Sequence, residues 1–146
     1  MYHIYLIVHL LSACIWVGGH LLLSFRYLPA AYKHKDISII AKFEEKFETI
    51  GIPALVFLVL TGILMAIHYG VYPLQWFAFS GKLETTISIK LSVLLAIVLL
   101  AIHARFFIIP KLTFKSLNWL TLHVILVTLL SVSMLVLGSF VRFGGI

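Results

Sequence analysis

Four long apolar runs dominate the chain, and each is close to the twenty or so residues that cross a bilayer as a helix. They lie at about residues 4–25, 50–69, 87–109 and 119–141. Their apolar character continues all round, without an alternating or one-faced pattern. Helix is the expected form, because lipid offers no partner for an unpaired backbone N–H or C=O. The connections differ in kind. Between the first two runs, "DISIIAKFEEKFETI" places Ile40, Phe43, Phe47 and Ile50 at helical spacing among lysines and glutamates. This pattern predicts an amphipathic interfacial helix leading into the second span, with Asp36 as its cap. Between the second and third runs, Tyr72, Trp76, Phe77 and Phe79 suit the headgroup level. The third connection, Pro110 to Asn118, is short. The predicted fold is an all-α integral membrane four-helix bundle forming a single domain over residues 1–146.

Composition agrees. Hydrophobic residues make up 62% of the 146 and charged residues 11%, with a mean hydropathy of +1.14. A soluble domain needs a more polar skin than this. The lone cysteine, Cys14, excludes an intrachain disulfide. The first run is too long for the apolar core of a signal peptide and is expected to remain as a span. Small residues such as Gly18, Gly19, Gly62 and Gly138 allow close helix approach and leave room for a homodimer.

The net charge of +6 points to basic loops beside a membrane and not to nucleic acid. Eight of the eleven basic residues (Arg26, Lys33, Lys35, Lys42, Lys46, Arg105, Lys111 and Lys115) fall on the side reached at the end of the first span. The positive-inside rule makes that side cytoplasmic and places both termini outside, periplasmic for a bacterial inner membrane. No carboxylate lies inside the four runs as delimited, so a proton relay or di-metal site built on carboxylates is not expected. Phosphate-loop, covalent haem-attachment and serine-triad motifs are absent.

The chemistry therefore rests on histidine. His3 and His34 lie outside the runs and suit a polar interface. The other five sort by depth, at 1.5 Å per residue, into an outer layer of His9 and His68 and an inner layer of His20, His103 and His123. His9 and His20 are eleven residues apart, or three turns plus about 20°, and so share one stripe of the first span about 16 Å apart. Ala13 and Trp16 lie on the same stripe.

Imidazole suits haem iron, copper, zinc and nickel. Two imidazoles from different helices can hold one haem b, so two layers predict one or two haems and an electron carrier working across or within the membrane. His9 and His68 are the expected outer pair, and the inner pair comes from His20, His103 and His123. Lys90 and Arg142 outside, and Arg26, Arg105 and Lys111 inside, are candidate partners for haem propionates. Gly18, Gly19, Gly62 and Ala66 would give a porphyrin room. A quinone or a redox protein is the expected electron partner. Copper handling is the alternative, although the chain is poor in the sulfur ligands that Cu(I) favours. A purely structural role leaves the histidines unexplained.

"HLLSACIWVGGHLLL", "FEEKFETIGIPALVFLVLTGILM" and "IKLSVLLAIVLLAIHARF", with Gly138 and Arg142 closing the last span, resemble the copper-resistance D (CopD-like) membrane family. The same pattern is similar to the related HemJ-type protoporphyrinogen oxidases, four-span proteins that bind haem b. The resemblance implies a four-helix membrane fold. Its HemJ side implies functional roles for His9, Lys90 and His103 and makes porphyrinogen oxidation a second alternative. His20 and His123 stand outside that matched set and favour a further site.

Overall fold

The computed structural model describes residues 1–146 and contains helices but no strands. Four helical stretches are long and apolar enough to cross a membrane: Tyr2–His34, Ser38–His68, Lys82–Lys111 and Phe114–Arg142. The chain reads as an integral membrane protein with the predicted all-α four-helix bundle.

Each helical stretch outruns the span read from hydropathy. The first comprises α1 (Tyr2–Leu22), a π-helical turn over Leu23–Tyr27, and α2 (Leu28–His34). The fixed backbone of Pro29 suits the first turn of α2. Lys35, in a left-handed conformation with φ 52°, ends α2, and the Asp36 amide closes back on the Ala31 carbonyl at 3.1 Å. This is the usual way a helix terminates its unpaired carbonyls.

The second stretch, α3 (Ser38–His68), is continuous for 31 residues and carries Pro53 without breaking. This corrects the expected interfacial helix. The segment from Ser38 to Ile50 does not lie apart in the membrane plane; it is the lower part of α3. Ile40 is fully buried, and Ile39 and Phe43 pack on the same cluster. Its apolar face turns to protein because α2 folds back beside it. The N-cap position of α3 falls on Ile37, without a side-chain cap, and Asp36, expected as the cap, lies one residue earlier and bonds Ser38. Its carboxylate accepts from the Ser38 amide at 2.8 Å and from the Ser38 hydroxyl at 2.9 Å.

The third stretch comprises α4 (Lys82–His103), a second π turn over Ala104–Ile108, and a 3₁₀ turn over Ile109–Lys111. A further 3₁₀ turn over Phe114–Ser116 opens into α5 (Leu117–Arg142). In the outer loop the Trp76 indole folds inward, donating to the Val71 carbonyl at 3.2 Å and packing over Ala66, Val71 and Ile87. Tyr72, Phe77 and Phe79 remain exposed.

The packing order is α3–α1–α5–α4. The closest pairs are α1 with α3 and α4 with α5, and α1 joins the two pairs through α5. By contrast, α3 and α4 scarcely touch. Three buried clusters fill the bundle. The inner one includes Leu23, Leu28, Ala31, Ile40, Leu117 and Leu120; the middle one is Trp16, Val17, Ile97 and Val127; the outer one is Ala66, Val71 and Ile87. The stripe of α1 identified from spacing does face inward, with Ala13 and Trp16 both buried.

The two hydrogen bonds from Ser38, side chain first and then backbone, hold the Asp36 carboxyl below its ordinary value. A carboxyl favoured in its charged form supports folding above its unfolded pKa of about 3.9 and loses that support as pH falls through its lower folded value. Asp36→Ala should therefore speed amide exchange in the first turn of α3 at neutral pH and leave the Leu55–Leu60 amides unchanged. In the wild type that turn should persist through the ordinary carboxylate range and loosen only at more acid pH, as followed by the Asp36 carboxyl resonance.

Candidate functional site

The inner half of the bundle holds a cleft of about 400 Å³ between α3 and α4, with α1 and α5 as its back wall. Helical periodicity accounts for its lining. From α1 come Trp16, His20 and the first residue of the π turn, Leu23; from α5 come Leu120, His123, Val124 and Val127. On α3, Glu44, Phe47, Glu48, Gly51 and Leu55 follow one stripe, and Val98, Ala101, Ile102 and Arg105 follow another along α4 and its π turn. Most of the lining is apolar, and the polar groups gather at the inner end.

Two imidazoles in this cleft are set the same way. His20 Nδ1 lies 2.9 Å from the Trp16 carbonyl, and His123 Nδ1 lies 2.9 Å from the Trp119 carbonyl. A carbonyl only accepts, so each Nδ1 donates, and each neutral ring keeps its lone pair on Nε2. His20 Nε2 makes no hydrogen bond in this structure. His123 Nε2 accepts from His103 Nδ1 at 2.9 Å. The inner three histidines thus separate into roles: His20 and His123 line the cleft, while His103 is exposed on α4 and supports His123 from outside. Trp16 stacks obliquely on His20, with ring centroids 4.5 Å apart, and donates through its indole to Ser131 at 3.1 Å.

Carboxylates were missing from the site as read from sequence. Glu44 and Glu48 belong to the helix that forms the second span, and both line the cleft. Glu48 accepts from Arg105 Nε at 2.9 Å, the single ion pair of the chain. The signal was present in the numbering. Glu44, Glu48, Gly51 and Leu55 continue one face at steps of four, three and four, which a delimited loop concealed.

The outer layer does not form a pair. α1 and α3 run antiparallel, so that Tyr2 meets His68 and His9 meets Thr61. His9 Nδ1 lies 2.8 Å from Thr61 Oγ1. The Thr61 hydroxyl donates to the Phe57 carbonyl, so its oxygen accepts from His9. His68, exposed, stacks on Tyr2 at a centroid distance of 4.6 Å. Seven residues of α3, about 10 Å, separate the two contacts. The shared outer level expected from the sequence therefore does not hold: His68 lies about two turns further out than His9.

The remaining candidates are scattered. Lys90 Nζ donates to the Met134 carbonyl at 3.3 Å, and a side chain at Gly138 would come within 3.4 Å of that ammonium. Arg142 and Arg26 are exposed and unpaired; Lys111 is exposed at the end of its 3₁₀ turn. The space expected beside a porphyrin is partly filled. A Cβ at Gly62 would come within 3.4 Å of the His9 ring. The Phe47 ring occupies the notch at Gly19 and abuts Gly51. Ala66 packs in the outer cluster. Gly18 alone faces open space. Nowhere do three His, Cys, Asp or Glu side chains converge as a bare metal ion requires.

Comparison with known proteins finds no matching family model, no similar curated protein and no similar solved structure.

A side chain at Gly19 would overlap the Phe47 ring. Gly19→Ala should cost about 1–3 kcal/mol of stability, as overpacking does, read as a lower thermal midpoint in detergent. Phe47→Leu should recover part of that loss in the double variant, because the smaller side chain vacates the notch.

Proposed function

We propose that this chain is an integral membrane b-type haem protein that carries electrons within the bilayer, holding one haem in the inner cleft through His20 and His123. The observation that carries the reading is the matched setting of these two imidazoles. Each faces a mostly apolar cavity from a different helix, with Nδ1 tied to the carbonyl four residues earlier; Nε2 is unbonded on His20 and bonded only to His103 on His123. Haem-ligating and metal-ligating histidines are oriented by just such a second bond. When bound, the haem supplies one-electron redox chemistry.

The residues present fit one haem better than two, because His9 and His68 do not face each other. His20 is free to ligate as it stands. His123 is free once His103 releases its hydrogen bond. Arg105 uses Nε on Glu48 and keeps further donors for a propionate at the inner end. Copper is the weaker reading, since the thiolate and thioether ligands that Cu(I) favours are absent from the cleft lining. Membership of the CopD-like family, a bacterial inner membrane with the cleft toward the cytoplasm, and electron exchange with a quinone or redox protein belong to the same proposal.

The test is the visible spectrum of detergent-purified protein from haem-replete cells, oxidised and dithionite-reduced, with haem quantified as the pyridine adduct. The wild type should carry close to one low-spin haem per chain. His20→Ala and His123→Ala should each lose it or turn it high-spin, while His9→Ala and His103→Ala should keep it. Colourless wild-type protein, or a normal spectrum in His20→Ala, would overturn the assignment.

A further inference from the structure

The cleft has an unusual wall. Its two sides, α3 and α4, scarcely touch along their length, although they face each other across it. The side chains at the opening are apolar and outward-facing: Ile52 is 51% exposed, Ile102 47% and Phe106 68%. Such a rim belongs to lipid and not to water. The one tie across the opening is the Glu48–Arg105 ion pair at its inner end. Behind the rim lie Trp16 and Val127, only 7% and 4% exposed, which line the cleft from the back wall.

A space of about 400 Å³ with mostly apolar walls is unsuited to water, which needs two to four polar partners at each position. Left empty, it would forfeit the dispersion contacts of every side chain around it. What the surroundings offer at this depth is hydrocarbon.

We propose that the α3–α4 cleft is a lateral portal to the bilayer: a lipid acyl chain occupies it when no other ligand is bound, and an apolar ligand reaches His20 and His123 by displacing that chain from the side. Glu48 and Arg105 close the inner end, so exchange takes place through lipid and not through the aqueous loops. The route to the histidines rests on the preceding reading of the cleft as a ligand site; the occupancy by an acyl chain does not.

The test needs no haem. Trp76→Phe and Trp119→Phe leave Trp16 as the sole tryptophan, and the protein is placed in bilayers of phosphatidylcholine brominated along its acyl chains or of its plain counterpart. Trp16 should lose most of its emission in the brominated bilayer. Linking Ile52→Cys to Ile102→Cys with a bismaleimide, in a Cys14→Ser background, should restore it. Full emission in brominated lipid overturns the portal, and so does quenching that persists after the link. Should these variants fail to insert, a lipid with a diazirine-bearing acyl chain probes the wild-type protein directly. Adducts at Val127 and Leu55 are expected, and adducts confined to outward-facing residues would overturn the proposal. A colourless protein would remove the haem reading and leave each of these outcomes as informative as before.

Discussion

The seat of Phe47 between Gly19 and Gly51 fixes the register on which the bundle depends. With no side chain on either glycine, α1 and α3 approach closely enough for one aromatic ring to fill the contact. That single alignment carries the rest of the α1–α3 interface with it. It sets His9 against Thr61 one way along the pair and His68 on Tyr2 beyond it. In the other direction it brings the lower part of α3 beside the cleft, with Glu44 and Glu48 near His20. In a bilayer the hydrophobic effect does little to hold helices together, so fitted contacts between small and large residues take on that work.

Polar side chains inside the bundle are satisfied mainly by their own helices. His20 and His123 each bind the carbonyl one turn back, as the hydroxyls of Thr61, Thr86, Ser92, Thr121 and Thr128 also do. This economy has a functional side. The His20 ring is oriented by its own backbone without help from a neighbouring helix, whereas His123 is also held by His103 of α4. Among the cross-helix bonds, Trp16 to Ser131 and Ser24 to Thr128 tie α1 and its π turn to α5 in the back wall of the cleft, His9 to Thr61 ties α1 to α3, and His103 to His123 and Lys90 to Met134 tie α4 to α5.

Hydropathy made the four spans legible, because lipid imposes length and composition directly. The inward stripe through His9, Ala13, Trp16 and His20 was legible too, since one helix keeps its own phase. What failed was inference between helices. Counting residues from each end puts His9 and His68 at one depth, but the register between α1 and α3 sets His9 against Thr61 and His68 against Tyr2, seven residues apart along α3. Hydropathy marks only the apolar part of α3, whereas the helix runs on from Ile50 back to Ser38 and carries its acidic face there. Neither π turn had a signal. "LSFRY" and "ARFFI" contain no glycine or proline to mark them.

Those two π turns divide their helices into independently phased halves. Each accommodates an extra residue within a turn, so everything beyond it is rotated by about 100° relative to an unbroken α-helix. In α1 the membrane half presents His9 through His20 to the interior, while α2 is turned separately to meet Ile40. In the third helix the same break falls between His103 and Ile108, at the point where Arg105 must reach Glu48. Loss of one residue from either turn would leave helix length, hydropathy and loop chemistry almost untouched, yet it would swing the whole end of that helix beyond the turn out of phase with the membrane half. The two π turns thus set the facing of these helix ends separately from that of the spans.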